Sequence, residues 1–312
     1  MTAVQHDLGD GYHLEISSLG DGPGPVLSIL GGVHGDELEG VLAARTVAGR
    51  LGTRTRGGLA GEVRIVAVSN PAAWRAGSRI SPVDQLNLAR VFPGRPDGTI
   101  TERAAHAITA HVITGADLLV DLHSAGVAYA MPLFAGYVED GSAVAARSRA
   151  AAYAFGAPLV WEHEGSGPGR SLSAAAALGV PAVYVEGSGG GGLIGDELDR
   201  YVDGVFRLLA WLGITDRPVD EVPPPAVLRG DDGDVDSSLS CSFDGYCVTR
   251  VRPGQPVTAG QRLADILAED ATPLERIVAP RAGTVMMLRR RATVSAGDGI
   301  AMLGPIPEGR TG

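Results

Sequence analysis

Over its first two thirds the 312-residue chain alternates short apolar runs with longer amphipathic ones, and this alternation restricts the fold more than any other feature. The runs Val26–Leu30, Glu62–Ser69, Asp117–Leu122 and Pro181–Glu186 are too short for helices of useful length. Several stop at Gly or Asn-Pro, so they read as strands. Between them lie helical patterns: Asp36–Leu51 with Leu38, Val41, Leu42 and Val47 at helical spacing, a helix opening at Thr101 as N-cap and running to Thr114, Ser142–Phe155 with Ser142 as N-cap, Leu172–Leu178, and a long closing helix over Asp196–Leu212. Short strands separated by helices predict an α/β fold, a mostly parallel or mixed sheet with helices on both faces.

The pattern breaks at Asp216–Ala226, DRPVDEVPPPA, which reads as a linker or a crossing strand. Beyond Val227 short β-like pieces are punctuated by Gly245, Gly254, Gly260, Gly283 and Gly297, and Leu263–Leu267 alone admits a helical reading. The expected organisation is a catalytic domain over 1–215, a linker over 216–226 and a small β-rich, barrel-like domain over 227–312.

Composition removes several classes of function. A net charge of −10 argues against a nucleic-acid partner, whose phosphates want a basic face. All 26 basic residues are Arg, so Schiff-base, pyridoxal-phosphate, P-loop Lys and biotinyl or lipoyl attachment chemistry are excluded. Two cysteines, Cys241 and Cys247, are too few for a disulfide framework or a thiolate metal cage and read as free, partly buried thiols. The N-terminal stretch lacks the basic and apolar regions of a signal peptide, and no apolar run reaches about 18 residues, so a soluble cytoplasmic protein without membrane contact is expected.

In open α/β sheets, ligands sit beyond the carboxyl ends of the strands. After the first predicted strand comes GGVHGDELEG, with His34 and Glu37; after the second, Asn70-Pro71 and then Arg79 and Arg90; after the third, His123; at the end of the fourth, Glu186. The H-x-x-E spacing puts His34 and Glu37 on one side of a turn entering a helix, where an imidazole and a carboxylate can share one ion. His123 would be a distant third ligand, and two His plus one Glu is a catalytic zinc set with a position left for water. Taken singly, His34 reads equally as a helix cap, Glu37 as a partner of the helix dipole and His123 as a core histidine; their convergence is what favours a metal.

The segments GGVHGDELEG, Asn70-Pro71, NLARVFPG (Asn87–Gly94), DLHS (Asp121–Ser124) and VYVE (Val183–Glu186) resemble the succinylglutamate desuccinylase/aspartoacylase family of the zinc carboxypeptidase clan. The resemblance implies a zinc amidohydrolase, one Zn2+ per chain, removing an acyl group from a small N-acyl amino acid. It implies His34, Glu37 and His123 as zinc ligands, Glu186 as general base and acid, Arg79 as the residue polarising the scissile carbonyl, and Arg90 as the grip on a substrate carboxylate. Many members carry Asn immediately before the Arg matched by Arg90; here that position is Ala89, and Asn87 and Asn70 are candidate substitutes. Arg170, before the helix that leads to Glu186, is a further candidate for substrate binding. A carboxypeptidase-like peptidase and a non-catalytic binding protein on the same scaffold are the alternatives, and a homo-oligomer is compatible with the sequence.

The C-terminal pieces VRPGQPVTAGQRLADI, IVAPRAGTVMM and VSAGDGIAML resemble a biotinyl/lipoyl-type hammerhead barrel, here without a Lys to carry a cofactor. Among lesser features, Asp84 reads as an anchor for the Arg-bearing loop and His163 as a loop histidine. Gly187–Gly192 reads as a flexible turn, and Arg289–Arg291 as a solvated strand edge.

Overall fold

The computed structural model describes residues 1–53, 58–216, 219–231, 233 and 237–308; of the expected linker, positions 217 and 218 lie outside them. Among the described residues ten strands, β1 (Thr2–Gly9), β2 (Tyr12–Leu19), β3 (Val26–Gly31), β4 (Glu62–Val66), β5 (Leu118–Leu122), β6 (Tyr129–Ala130), β7 (Phe134–Val138), β8 (Leu159–His163), β9 (Ala182–Glu186) and β10 (Ala226–Arg229), precede the C-terminal β region. All but β6 form one sheet in the order β1-β2-β4-β3-β5-β9-β7-β8-β10. Strands β4, β3, β5 and β9 are parallel, so their carboxyl ends share one edge; β7 runs antiparallel to β9 and parallel to β8.

Helices cover both faces. Leu27, Ile29, Val120, Leu122, Val183 and Val185 pack under α1 (Leu38–Gly52), α4 (Ala143–Phe155) and α6 (Gly195–Trp211). On the other face Leu30, Leu119 and Ala182 pack with residues of α3 (Ile100–Ile108) and α5 (Ser171–Ala177); α2 (Pro71–Ala76) is a short helix after β4. Each fully buried Val, Leu or Ile contributes about 1.5–3 kcal/mol relative to an exposed one, and this two-sided burial is why the central strands are mostly apolar.

Local details depart from the sequence reading where hydrogen bonding overrides pattern. Thr99, not Thr101, caps α3: its hydroxyl accepts from Glu102 N, and the Glu102 carboxylate accepts from Thr99 N, a reciprocal capping box. Thr101 instead binds Asp84, through its backbone N–H at 3.0 Å and its hydroxyl at 2.9 Å. Ser142 caps α4 as expected, accepting from Ala145 N at 3.0 Å. The β1–β2 hairpin was hidden because β1 is almost wholly exposed and so has no apolar run; β7 and β8 were hidden because Gly136 and the Glu162-His163 pair interrupt theirs.

The C-terminal region contains strands β11 (Leu239–Ser240), β12 (Gly245–Thr249), β13 (Pro256–Val257), β14 (Arg262–Leu267), β15 (Pro273–Val278), β16 (Gly283–Arg289), β17 (Thr293–Val294) and β18 (Gly299–Gly304). They form two antiparallel sheets around a core that includes Leu263, Ile266, Val285 and Ile300. Leu263–Leu267 is therefore a strand, not a helix: it is bonded on both sides, to β12 and β15. Strand β6 leaves the α/β region to pair with β16, while β10, just beyond the proline-rich stretch, completes the large sheet beside β8. Arg289 is not a solvated edge residue. It is buried, donates to Asp298 Oδ2 at 2.9 Å, and holds its guanidinium 5.4 Å from the Tyr129 ring; only Arg290 and Arg291 are exposed. Cys241 is buried and Cys247 half-buried, both as free thiols.

Candidate active site

The turn after β3 carries His34 and Glu37 inward. Gly35 lets that turn lie against α2, since a Cβ there would meet the Ala73 backbone at 2.0 Å. β5 delivers His123 one residue past its end, and β9 ends on Glu186. His34, Glu37 and His123 are all buried, and their ligand atoms lie within 4.8 Å of one another, so the three could hold a metal ion.

The geometry within this cluster is directional. His34 Nδ1 is 2.7 Å from Glu37 Oε1, and His123 Nδ1 is 2.9 Å from Glu37 Oε2. The opposite ring nitrogens also face oxygens: His34 Nε2 lies 3.1 Å from Asn87 Oδ1, and His123 Nε2 stands at an ion-pair distance of 3.1 Å from Asp121 Oδ1. Ser171 Oγ donates to the other Asp121 oxygen. Inward Nδ1 atoms with outward Nε2 atoms fixed by a carboxylate or carbonyl oxygen are the pattern of metal-ligating histidines. Ser124 N donates to Glu37 Oε2 at 3.2 Å, and Tyr201 Oη donates to the His123 carbonyl at 2.6 Å.

Charges follow from these contacts. Burial alone would raise the Glu37 pKa, but the adjacent His34 and His123 hold it well below the usual carboxylate range. Burial alone would lower His123, but Asp121 and Glu37 hold it well above the usual imidazole value. His34 is pushed down by burial and by the Arg79 charge. Glu186 behaves oppositely to Glu37: burial, reinforced by the Glu37 charge, raises it to about 8. Its Oε2 is buried without a hydrogen-bond partner among the described residues.

A cleft of about 100 Å³ joins these groups. Arg79 lines it while donating from Nη1 to Glu37 Oε1 at 3.0 Å. Arg90 closes the short Leu88–Arg90 turn and lines the cleft beside Ala89. Asp84, through Thr101, ties the loop between Arg79 and Arg90 to the start of α3, the anchoring role expected for it. Arg170 stands at the N-terminus of α5 and also lines the cleft; Phe92 N donating to Gly169 O at 3.0 Å joins its loop to that of Arg90. Asn87 Oδ1 accepts from Ala89 N at 2.9 Å and faces His34.

The catalytic-domain profile of the succinylglutamate desuccinylase/aspartoacylase family matches residues 23–212. The chain belongs to that family. It is 32% identical over 296 residues to an N-alpha-acetyl-L-2,4-diaminobutyric acid deacetylase of Halomonas elongata, an alignment covering 92% of this chain and 84% of the relative. The crystal structure of a succinylglutamate desuccinylase from Silicibacter sp. TM1040 superposes with a TM-score of 0.87 at 29% identity, covering 97% of this chain and 93% of that one. The product-bound ectoine utilization protein EutE from Ruegeria pomeroyi superposes with a TM-score of 0.86 at 30% identity, covering 97% and 94%.

Asp121, Tyr184, His163 and Ser171 are among the residues of this desuccinylase/aspartoacylase-family cleft that escaped sequence reasoning. Asp121 and Tyr184 each lie two residues before a singled-out residue, His123 and Glu186, and period-two alternation would have revealed them. His163 is not a loop histidine. It ends β8, is 3% exposed and lines the cleft, and it was missed because β8 itself was. Ser171 carries no sequence signal. The Gly187–Gly192 turn is tethered rather than free: Ser188 donates twice to Glu197, each at 2.6 Å, and Gly190 N donates to Gly126 O at 2.6 Å.

Proposed function

We propose that the protein is a zinc-dependent hydrolase that removes the acyl group from a small N-acyl amino acid. The observation that carries this reading is the meeting, at one cleft, of the buried His34–Glu37–His123 cluster with a Glu186 oxygen that has no hydrogen-bond partner among the described residues. Two imidazoles and a carboxylate suit zinc better than calcium or magnesium, which prefer all-oxygen shells. When bound, zinc supplies a Lewis acid and lowers the pKa of a bound water to about 7.

The chain's own residues account for the rest. Glu186 Oε2 accepts the attacking water's proton and returns it to the leaving amine nitrogen, a role suited to a carboxyl that burial raises to about 8 and that therefore holds a proton readily near neutral pH. Arg79, anchored on Glu37, aims a guanidinium at the acyl carbonyl as negative charge develops. Arg90 and Arg170, presented from two joined loops, bind the amino acid carboxylate, a task for which the planar guanidinium is suited. Asp121 and Asn87 keep the two imidazoles in register, Asn87 through the oxygen it turns to His34. The Halomonas elongata relative, a deacetylase by its name, supports the choice of an N-acetyl amino acid.

The test is elemental analysis together with a panel of N-acyl amino acids. The expected result is one zinc per chain and amine release from N-acetyl amino acids that is abolished by chelation and restored by zinc. A protein that binds no zinc, or that cleaves peptides in preference to N-acyl amino acids, overturns the reading.

A further inference from the structure

The loops that carry His123 and Glu186 stay bonded to each other beyond the ends of their strands. His123 N donates to Val185 O at 2.8 Å and Ala125 N donates to Gly187 O at 3.1 Å, which prolongs the β5–β9 pairing past both residues. A third element, α6, reaches both loops. Glu197 and Tyr201 lie four apart on it and so share one of its faces. Tyr201 is fully buried, and its hydroxyl donates to the His123 carbonyl at 2.6 Å. The Glu197 carboxylate accepts twice from Ser188, two residues past Glu186. Its Oε1 takes the backbone N–H and its Oε2 the hydroxyl, each at 2.6 Å.

The residue between Glu186 and Ser188 is fitted to the same pair. A Cβ at Gly187 would stand 2.5 Å from Glu197 Oε1 and closer still to Tyr201 Oη. Gly187 does not have a positive φ, so close approach rather than backbone conformation requires glycine there. A glutamate in the first turn of any helix suits the helix dipole, and any buried tyrosine hydroxyl needs a partner. What is particular here is the choice of partners: the backbone of a residue in the His34–Glu37–His123 cluster, and the loop that directly follows Glu186. Glu39 on α1 adds an independent hold, accepting from Ser124 Oγ at 2.6 Å, so the His123 loop stays tethered when one α6 contact is removed.

We propose that Glu197 and Tyr201 are positioning residues, a clamp on one face of α6 that fixes the separation between the His123 imidazole and the Glu186 carboxylate. This rests on the deacylase reading above. Neither side chain lines the cleft; Tyr201 acts through the His123 backbone and Glu197 through Ser188. The spacing matters because a water held at the cluster must lie within hydrogen-bond reach of Glu186, and a misplacement of about 1 Å can cost about 10²-fold in rate. The two holds grip different partners, so their effects are separable. Loss of the Tyr201 bond loosens a metal ligand, whereas loss of the Glu197 bonds loosens the proton carrier.

The experiment uses the full chain and three variants. Tyr201→Phe deletes only the hydroxyl, Glu197→Ala removes both acceptors, and Glu197→Gln keeps one oxygen for the Ser188 N–H. Zinc affinity is measured by competition with a chelator, and kcat and KM on an N-acetyl amino acid at saturating zinc. Tyr201→Phe should weaken zinc binding by about tenfold, the lower end of the range for groups that orient metal ligands. Glu197→Ala should hold zinc within about twofold of wild type and lower kcat by about tenfold with KM little changed, and Glu197→Gln should recover most of that kcat. Amide hydrogen exchange on the metal-free chain reads the clamp without zinc or turnover: Ala125 should exchange faster in Tyr201→Phe, and Ser188 in Glu197→Ala. Unchanged exchange at these amides overturns the proposal. So does a loss of zinc affinity and kcat together in both variants, in step with lowered melting temperatures, since that is the behaviour of residues that only stabilise the fold. A wild type that binds no zinc and deacylates no N-acyl amino acid overturns the deacylase reading instead, and the exchange measurement still decides whether α6 holds the two loops.

Discussion

Glu37 sits between two histidines, its Oε1 2.7 Å from His34 Nδ1 and its Oε2 2.9 Å from His123 Nδ1. One carboxylate thereby ties the turn after β3 to the end of β5, and all three side chains are buried. Replacing Glu37 by Ala should leave substoichiometric zinc by elemental analysis. It should also destabilise the metal-free protein by about 1–3 kcal/mol in denaturant melts, because two buried imidazoles and Arg79 lose their shared acceptor. Stoichiometric zinc in the variant would remove Glu37 from the ligand set.

Glu186→Gln should retain zinc and fold while lowering kcat by about 10²–10⁴, the range for loss of a positioned general acid–base. The amide preserves shape and cannot carry the proton. Zinc content and steady-state kinetics on one preparation check it; near-normal kcat would assign proton transfer elsewhere.

Arg90→Lys keeps the charge and loses the planar fork. With Ala89 beside it in place of an amide donor, the geometry of Arg90 should carry much of the carboxylate recognition. A drop in kcat/KM corresponding to about 2–5 kcal/mol is expected for N-acyl amino acids, with little effect on the matching substrate lacking the carboxylate. Equal losses on both substrates would mean that Arg90 supports the fold.

In the C-terminal region, Asp265 is buried and accepts from Arg250 Nε at 2.8 Å and Arg262 Nε at 2.5 Å. Burial alone would raise its pKa, but those arginines hold it below the usual range. A depressed folded pKa contributes stability that is complete above the unfolded value, about 3.9, and is lost as pH falls through the folded one. Acid melts should therefore show the wild type losing its advantage over Asp265→Asn between pH 5 and strongly acidic conditions. Above that window the advantage should be about 1 kcal/mol, a modest figure because both arginines are nearly half exposed.

Gly136→Ala should displace the Tyr184 ring, since the new methyl would overlap it. A loss of about 1–3 kcal/mol in stability is expected from overpacking. Tyr184→Phe should not rescue it, because the clash involves ring carbons as well as the oxygen. Thermal melts of the two single variants and the double variant measure this directly.

The sequence by itself determined the α/β core and the meeting of His34, Glu37 and His123. Strands β3, β4, β5 and β9 are buried on both faces, so they appear as apolar runs, and the parallel arrangement of such runs brings His34, His123 and Glu186 to one edge. It could not reveal elements whose stability comes from pairing rather than from their own apolarity. Examples are the exposed β1, the glycine-broken β7, and β14, whose buried run fits helix or strand until neighbours bond to it on both sides. Tertiary structure alone decided the purposes of single residues with several open choices. Thr99 rather than Thr101 caps α3 because Asp84 engages Thr101. Asn87 turns to His34. Gly136 is bare because a tyrosine from one neighbouring strand crosses it to reach a histidine on the other. Such roles depend on partners distant in sequence, and a side chain's hydrogen-bonding capacity says nothing about which partner will meet it until the sheet order brings them together.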